Sequence, residues 1–159
     1  MKFNKAIKNL FIVLFSTLLI SACSTAKKAN VDTANDVYTG TDTVEFLAKG
    51  VPDRIFFATN KSSLTTASRD TLRKQATWMR KNKDVTVTVE GHADERGTRE
   101  YNLALGERRA NAAKDYLMTY GVSGKRISVI SYGKERPVNP ASSPLAWSQN
   151  RRSVTVKAN

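Results

Sequence analysis

The chain of 159 residues is long enough for one domain and an additional segment, and its 40% hydrophobic and 25% charged residues exclude a wholly disordered chain. Lysine and arginine total 26 against 14 acidic residues, which gives a formal net charge of +12. This excess is compatible with a solvated basic surface, and also with the binding of nucleic acid, anionic lipid or an anionic polymer.

The N-terminal residues have the pattern of an export signal. Residues 1–8 carry three lysines and no acid, and residues 10–20 form an apolar run that is too short to span a bilayer. Small residues follow, and then Cys23, the only cysteine of the chain. Because this order resembles a bacterial lipoprotein signal, we predict a signal peptide over residues 1–22 and acyl chains such as palmitate on Cys23. An ordinary signal peptide with an incidental cysteine is the alternative.

The predicted lipid anchor also narrows the choice of partners. Each buried CH₂ of an acyl chain contributes ~0.8 kcal/mol, so that several chains would hold the protein on a membrane almost irreversibly. An exported, membrane-anchored protein does not normally encounter nucleic acid at its location in the cell. We therefore predict no nucleic acid partner.

A flexible tether is predicted between the anchor and the domain, over residues 23–50. Residues 24–50 are mostly Ser, Thr, Ala, Asn, Asp and Lys, and they offer too little apolar surface to offset the entropy of ordering them. The segment Val44–Leu47 is an apolar cluster within this tether. Its composition leaves open whether it packs on the edge of the domain or serves a partner.

The folded domain is predicted over residues 51–159, and its first half shows three elements. Residues 54–58 are apolar and aromatic, which indicates a buried strand. A helix follows with Thr65 as its N-cap, and its apolar residues recur at helical spacing up to Met79. Residues 85–90 alternate valine with polar residues, a pattern that is typical of a half-buried strand.

The second half of the domain predicts a long helix and two further strands. The helix spans about 98–120, and Gly121 is a suitable residue to end it. Strands are predicted at 127–132 and 152–157, with one helical turn in the loop between them. The order predicts an α/β (α+β) sandwich of the form β-α-β-α-β-β, with a mixed four-stranded sheet and two main helices on one face.

The residue inventory argues against catalysis. The chain has one histidine and, once Cys23 is acylated, no free cysteine, so that a Cys–His pair or a histidine-rich metal site is not available. Asp94 and Glu95 are adjacent in sequence, and we expect their side chains to diverge rather than face each other across a cleft. His92 is interpreted as a partly buried residue whose hydrogen bond holds the loop. We predict no enzyme, no cofactor and no metal.

Binding of a small charged group suits residues 90–110 better. Asp94 lies in the loop after the second strand, and Arg109 shares a face of the following helix with Asn102 and Leu105. If the loop folds back beside that face, a carboxylate and a guanidinium lie close together, which is an arrangement that recognises a zwitterion. The alternative is that Asp94 and Arg109 simply pair with each other, and spacing does not decide between the two.

Four motifs carry a resemblance to a known family. The sequences GHADERGT, YNLALGERRA, SYGKERP and NRR follow in this order along residues 55–156. They resemble the OmpA-like peptidoglycan-binding domain family and, together with the lipoprotein signal, its peptidoglycan-associated lipoproteins. The resemblance implies that Asp94 and Arg109 hold the meso-diaminopimelate of the peptidoglycan peptide stem. Further candidates that it implies are Glu95, Arg96, Gly97, Thr98, Asn102 and Leu105, with Phe57, Asn60 and Arg151 as weaker ones.

Two positions weaken this transfer of roles. The family's first strand usually ends in Phe-Asp, whereas Phe57 is followed here by Ala58, so that any contact from that carboxylate is absent. Arg151 and Arg152 are open to two interpretations, as basic residues of a terminal strand or as a support of the pocket. Trp147 is interpreted as a packing residue rather than as a platform for a sugar.

The resemblance further implies a place in the cell envelope. It implies an outer-membrane lipoprotein whose domain faces the periplasm, ties the membrane to the cell wall and works with TolB and the Tol system in envelope integrity and cell division. One alternative is an OmpA-like wall-binding lipoprotein without a Tol partner. A polybasic adhesin or lipopolysaccharide binder and a cell-wall hydrolase are the remaining alternatives.

Overall fold

The computed structural model describes residues 31–32 and 36–158. The predicted signal peptide, Cys23 and the first part of the tether lie outside the described residues. The elements are β1 (Val31–Asp32), β2 (Val37–Tyr38), β3 (Phe46–Ala48), β4 (Val51–Pro52), β5 (Arg54–Phe56), α1 (Thr66–Lys81), β6 (Val87–His92), α2 (Arg99–Thr119), β7 (Ile127–Gly133), α3 (Pro144–Asn150) and β8 (Arg152–Lys157). A 3₁₀ turn, Gly124–Arg126, precedes β7.

The main sheet has four strands in the order β5-β8-β6-β7. Strand β8 is antiparallel to both β5 and β6, whereas β6 and β7 are parallel. Because β5 and β6 are each antiparallel to β8, they run in the same direction, and their carboxyl ends lie at one edge of the sheet. The predicted mixed four-stranded sheet is confirmed.

Both long helices pack on one face of this sheet, as predicted. Thr65 caps α1 by accepting a hydrogen bond from the main-chain nitrogen of Ser68, and Thr98 caps α2 in the same way. One apolar core contains residues of both helices together with sheet residues that point to the same side. Its largest fully buried apolar side chains include Leu72, Met79 and Leu117, each of which contributes roughly 1.5–3 kcal/mol on burial.

Helix α2 lies unusually close to strand β6. A Cβ atom on Gly91 would overlap the main-chain carbonyl of Gly106, and one on Gly106 would overlap the Ser131 hydroxyl. Glycine at both positions therefore permits a contact that any side chain would prevent. The close contact holds the start of α2 beside the end of β6, where the polar loop begins.

The segment predicted as the end of the tether packs on the domain. Val37 and Tyr38 are buried against Phe56, with the Tyr38 and Phe56 rings 4.8 Å apart, and Val44 packs on the same cluster. We call residues 36–44 the N-terminal arm. The physical reason is that Phe56 points to the sheet face opposite the helices, where it needs an apolar cover. The folded part of the chain therefore includes residues that the sequence assigns to the tether.

The short hairpin β3–β4 contains two residues of the apolar cluster Val44–Leu47, and they differ in exposure. Leu47 is buried, whereas 64% of Phe46 is exposed. Val44 and Leu47 thus pack on the domain, whereas Phe46 faces solvent. Within the described ranges, no helix combines the length and apolarity that a membrane crossing requires.

Candidate functional site

Four segments meet at the edge of the sheet where β5 and β6 end. They are the loop after β5, the loop between β6 and α2, the junction of α3 with β8, and the N-terminal arm. The register pairs Phe56 with Arg152 and Gly91 with Ser153, so that the end of each strand lies beside the start of β8. This arrangement places Asp94 and Arg151 next to each other although they are far apart in sequence.

Asp94 is buried, with 7% of its surface exposed, and it is held by two arginines. Arg96 donates to both carboxylate oxygens, from Nε at 3.0 Å and from Nη2 at 2.7 Å, and its main-chain nitrogen donates at 3.1 Å. Arg151 donates from Nη1 at 3.3 Å. Burial alone raises the pKa of Asp94, but the hydrogen bonds from Arg96 and Arg151 outweigh it and lower the pKa below 3.8. Asp94 is therefore a carboxylate at neutral pH.

Arg109 is fully buried beneath the two loops. Its guanidinium donates from Nε to the Lys61 carbonyl at 2.9 Å, from Nη1 to the His92 carbonyl at 2.8 Å and from Nη2 to the Ala58 carbonyl at 3.1 Å. The same group lies over the Phe57 ring, 5.2 Å from its centre. Burial, and then the charge of Arg151, lowers the pKa of Arg109 to about 9. Arg109 thus remains a cation at neutral pH and joins the loop after β5 to the end of β6.

Asp94 and Arg109 do not pair directly in the part of the chain that the structure describes. The ion pairs of Asp94 run to Arg96 and Arg151, and the hydrogen bonds of Arg109 run to three main-chain carbonyls. The Arg109 guanidinium does not face solvent, because it donates to these carbonyls in the interior of the domain. Three of the five N–H groups of an arginine are used in this way, which leaves one on each terminal nitrogen.

Arg151 is the second buried guanidinium of the site, with 1% of its side chain exposed. It donates from Nε to the Phe57 carbonyl at 3.1 Å and pairs through Nη2 with Asp36 Oδ1 at 2.9 Å. Its neighbour Arg152 donates instead to the carbonyls of Asn150 and Arg136. Of the two arginines that the sequence leaves open, Arg151 is the one in contact with Asp94.

Arg96 and Trp147 form the exposed rim of the site. The Arg96 side chain is 41% exposed and its guanidinium lies 4.4 Å from the centre of the Trp147 ring. The hydrogen bonds that Arg96 donates to Asp94 raise the pKa of Arg96, so Arg96 is a permanent cation. Trp147 Nε1 donates to Glu95 Oε1 at 2.8 Å, and this bond, followed by one from Ser142, lowers the pKa of Glu95. Trp147 is thus a residue of the rim, which its sequence context did not indicate.

The remaining candidates support the loop rather than line it. Gly97 has a φ of +91°, which favours glycine, and Thr98 caps α2. Asn102 is buried and donates from Nδ2 to the Arg96 carbonyl at 2.8 Å. Leu105 and Phe57 are buried, and Asn60 is an exposed turn residue with a φ of +55°. We infer that these residues fix the loop that carries Asp94 and Arg96.

The prediction that the His92 side chain forms a hydrogen bond is wrong for the described residues. The ring is buried and neither of its nitrogens has a partner there, although Glu90 Oε2 lies 3.6 Å from Nε2. The ring packs instead on Tyr132, with the centres 5.6 Å apart. The residue does hold the loop, but through its main-chain carbonyl, which accepts from Arg109.

Two further residues of the site carried no signal in the sequence. Asp36 lies in the segment that composition assigns to the tether, and Thr59 is a polar loop residue with no motif around it.

Within residues 31–32 and 36–158, no group of three or more His, Cys, Asp or Glu side chains is placed to hold a metal ion.

Comparison with known proteins identifies the family. The OmpA family matches residues 56–151. A peptidoglycan-associated lipoprotein of Rhizobium meliloti (strain 1021) is 47% identical over 149 residues, which cover 91% of this chain and 85% of that protein. One from Pasteurella multocida (strain Pm70) is 33% identical and covers 94% of this chain and 97% of that protein.

Solved structures agree with this result. The crystal structure of the peptidoglycan-associated lipoprotein from Burkholderia pseudomallei has a TM-score of 0.65 at 33% identity and covers 67% of this chain and 90% of that one. The C-terminal domain of Helicobacter pylori MotB, at 23% identity and a TM-score of 0.63, covers 67% of this chain and 84% of that one and shares the fold. The curated relatives are named as peptidoglycan-associated lipoproteins and not as enzymes, in agreement with the prediction that this protein is not an enzyme. The chain belongs to the OmpA family and, within it, to the group of peptidoglycan-associated lipoproteins.

Proposed function

We propose that this protein binds peptidoglycan without a covalent bond, by holding the meso-diaminopimelate of the peptide stem at the site around Asp94. The observation that carries the proposal is an ionised, buried carboxylate beside three guanidinium groups at one edge of the sheet. A zwitterionic amino acid end needs one anion and at least one fixed cation. The names of the relatives supply the polymer to which such an end belongs.

The charges suggest a division of roles. Asp94 would accept the ammonium group of the ligand, because it is the buried acid of the site. Arg96 is the exposed guanidinium, and its side chain is able to turn from Asp94 towards the carboxylate of the ligand. Arg109 and Arg151, which are buried beneath the loops, would keep the electrostatic potential around that carboxylate positive. A hydrogen bond to a charged group contributes roughly 1.5–3 kcal/mol, so that two such bonds are enough for specific but reversible binding.

The supporting candidates keep these groups in place. Asn102 and Thr98 fix the loop through the Arg96 carbonyl and the cap of α2. Glu95, Gly97, Leu105, Phe57 and Asn60 belong to the proposed site in the same supporting sense. Ala58 contributes its carbonyl to Arg109 but no side-chain carboxylate.

The proposed function includes the anchor and the place in the cell. Cys23 would carry the lipid after removal of residues 1–22, and the domain would face the periplasm from the outer membrane. Because β1 at Val31–Asp32 pairs with β2 of the arm, only residues 24–30 remain between Cys23 and the docked chain, a reach of roughly 25 Å at most. The wall must then lie close to the membrane wherever the domain holds it.

A role in the Tol–Pal system with TolB, and through it in envelope integrity and cell division, completes the proposal. The alternative is wall binding without a Tol partner. A pull-down of the purified mature protein with purified TolB separates the two, since only the Tol–Pal member would retain TolB.

Sedimentation with purified cell-wall sacculi tests the site. Asp94→Asn keeps the size of the side chain and removes its charge, and Arg109→Lys keeps a charge but not three planar N–H contacts. We expect each to lower the bound fraction at least tenfold, whereas Asp115→Asn, the same charge change on an exposed position of α2, should bind like the wild type. Undiminished sedimentation by both site variants with an intact fold by circular dichroism would refute the proposal, and release of soluble fragments from the sacculi would favour a hydrolase.

A further inference from the structure

A closed ring of hydrogen bonds links the N-terminal arm to the proposed site. Asp36 pairs with Arg151, Arg151 with Asp94, and Asp94 with Arg96. Arg96 Nη2 donates to Thr59 Oγ1 at 3.3 Å, and Thr59 Oγ1 donates back to Asp36 Oδ2. The arm thus contributes a carboxylate to the network that orients Asp94 and Arg96.

Asp36 is the closer of the two acids around Arg151. The Nη2–Oδ1 distance to Asp36 is 2.9 Å, whereas the Nη1–Oδ2 distance to Asp94 is 3.3 Å. An acidic partner offsets part of the cost of burying a guanidinium almost fully. Without Asp36, Asp94 would be the only acid paired with Arg151 among the described residues, and its charge would be drawn further from the position of a ligand ammonium.

The backbone conformation and the contacts of the arm fix the position of Asp36. Its φ of +53° lies in the left-handed region, which aspartate tolerates better than most side chains. Its main-chain carbonyl also accepts from Arg151 Nη2, and the next two residues are buried against Phe56. The Asp36 carboxylate is therefore held in place by the ring of hydrogen bonds and by the packing of the next two residues on Phe56.

We propose that Asp36 is a positioning residue of the ligand site, and that docking of the N-terminal arm and binding of the ligand favour each other. The inference rests on the proposed function, because the ligand is the same peptide stem. Coupling of two binding events is reciprocal, so the ligand should hold the arm in place as strongly as the arm supports the ligand. The arm that leads from the N-terminal side would then sense whether the site is occupied.

Calorimetry of the full mature chain with soluble wall fragments that carry a diaminopimelate stem tests the first half. We expect Asp36→Asn to weaken binding about tenfold, because one charge-assisted contact of the site is lost. Asp42→Asn is the matched control, because it makes the same change on the same arm. Among the described residues the Asp42 carboxylate accepts only from Gln149 Nε2, at 3.2 Å, so this variant should bind within about twofold of the wild type.

Hydrogen exchange of the wild type tests the second half without any substitution. We expect the amides of residues 36–44 to exchange several-fold more slowly when the fragments are bound, and this protection to be lost in Asp36→Asn. A merely structural role of Asp36 would change the melting temperature but would not produce ligand-dependent protection of the arm.

The outcomes separate the two proposals. If the wild type binds the fragments, Asp94→Asn does not, and Asp36→Asn binds normally or more tightly, the role of Asp36 is refuted and the proposed function stands. Tighter binding would mean that the arm competes with the ligand. Unchanged exchange of the arm on binding would equally refute the coupling. If the wild type binds no fragment at all, the proposed function fails and the inference falls with it.

Discussion

His92 should make the folded protein less stable as the pH falls from 7.5 to 5. Burial lowers the pKa of His92 from 6.5 to about 3, and the charges of Arg152, Arg136 and Arg54 act in the same direction. The opposing group is Glu90, whose Oε2 lies 3.6 Å from Nε2. The neutral ring is therefore the form that the fold accepts.

The sign and size of the effect follow from proton binding. Between pH 6.5 and about 3 the unfolded chain carries a proton on this histidine and the folded chain does not. Stability is thus fully present above pH 6.5 and falls by up to ~1.4 kcal/mol per pH unit below it. From pH 7.5 to 5 the expected loss is about 2 kcal/mol. The chain contains no second histidine, and the lowered pKa of Asp94 acts only below 3.8, so the loss in this window is assigned to His92.

Urea denaturation followed by tryptophan fluorescence measures this loss in the mature protein. His92→Gln removes the titrating group, and its free energy of unfolding should change by less than about 0.5 kcal/mol between the two pH values, whatever its absolute stability. Glu90→Gln should enlarge the loss, because it removes the acid nearest to the protonated ring. The reasoning would be refuted by a wild type with equal stability at both pH values, or by a His92→Gln variant that loses as much as the wild type.

Two further predictions concern the packing that positions the site and its rim. Gly91→Ala should lower the free energy of unfolding, measured in urea at pH 7.5, by at least about 3 kcal/mol, because its Cβ would overlap a main-chain carbonyl of α2. In the control Gly124→Ala, the new Cβ would meet only the flexible end of Met118, and the loss should be less than about 1 kcal/mol. Similar losses in both variants would contradict the close contact of α2 with β6. Trp147→Phe keeps an aromatic ring beside the loop but removes the donor to Glu95, so the pKa of Glu95 should rise in a carbon-detected titration, and an unchanged pKa would show that the bond does not form in solution.

Local patterns were sufficient to predict the main helices and strands of the domain, but not the short hairpin β3–β4. Thr65 and Thr98 were identified as starts of helices because an N-cap acts within one turn of its own residue. Gly121, with a φ of +84°, ends the second helix for an equally local reason. Strand β6 begins at Val87 rather than at the predicted Val85, which is the usual uncertainty at the end of an element.

The contacts between distant segments could not be predicted in the same way. Asp36 and Arg151 are separated by 115 residues, and nothing in the polar composition around Asp36 distinguishes it from a tether. The docking of the arm depends on Phe56, whose orientation away from the helices follows only from the register of β5 with β8. For the same reason helical spacing does not reveal that Arg109 is held by three carbonyls, two from the loop after β5 and one from the end of β6.

The ion pairs around Asp94 would make the proposed binding reversible. Arg96 pairs with Asp94 where the proposed ligand ammonium would bind, and the Asp36–Arg151 pair beneath the site remains in place. Binding of a zwitterion would then replace the Arg96–Asp94 ion pair by ion pairs with the ligand. Such an exchange has a small net free energy, because the lost Arg96–Asp94 pair and the desolvation of the ligand charges offset much of what the new pairs contribute. A domain that holds a wall through many weak, exchangeable contacts is able to release it without breaking a bond, which is what a non-covalent tether requires.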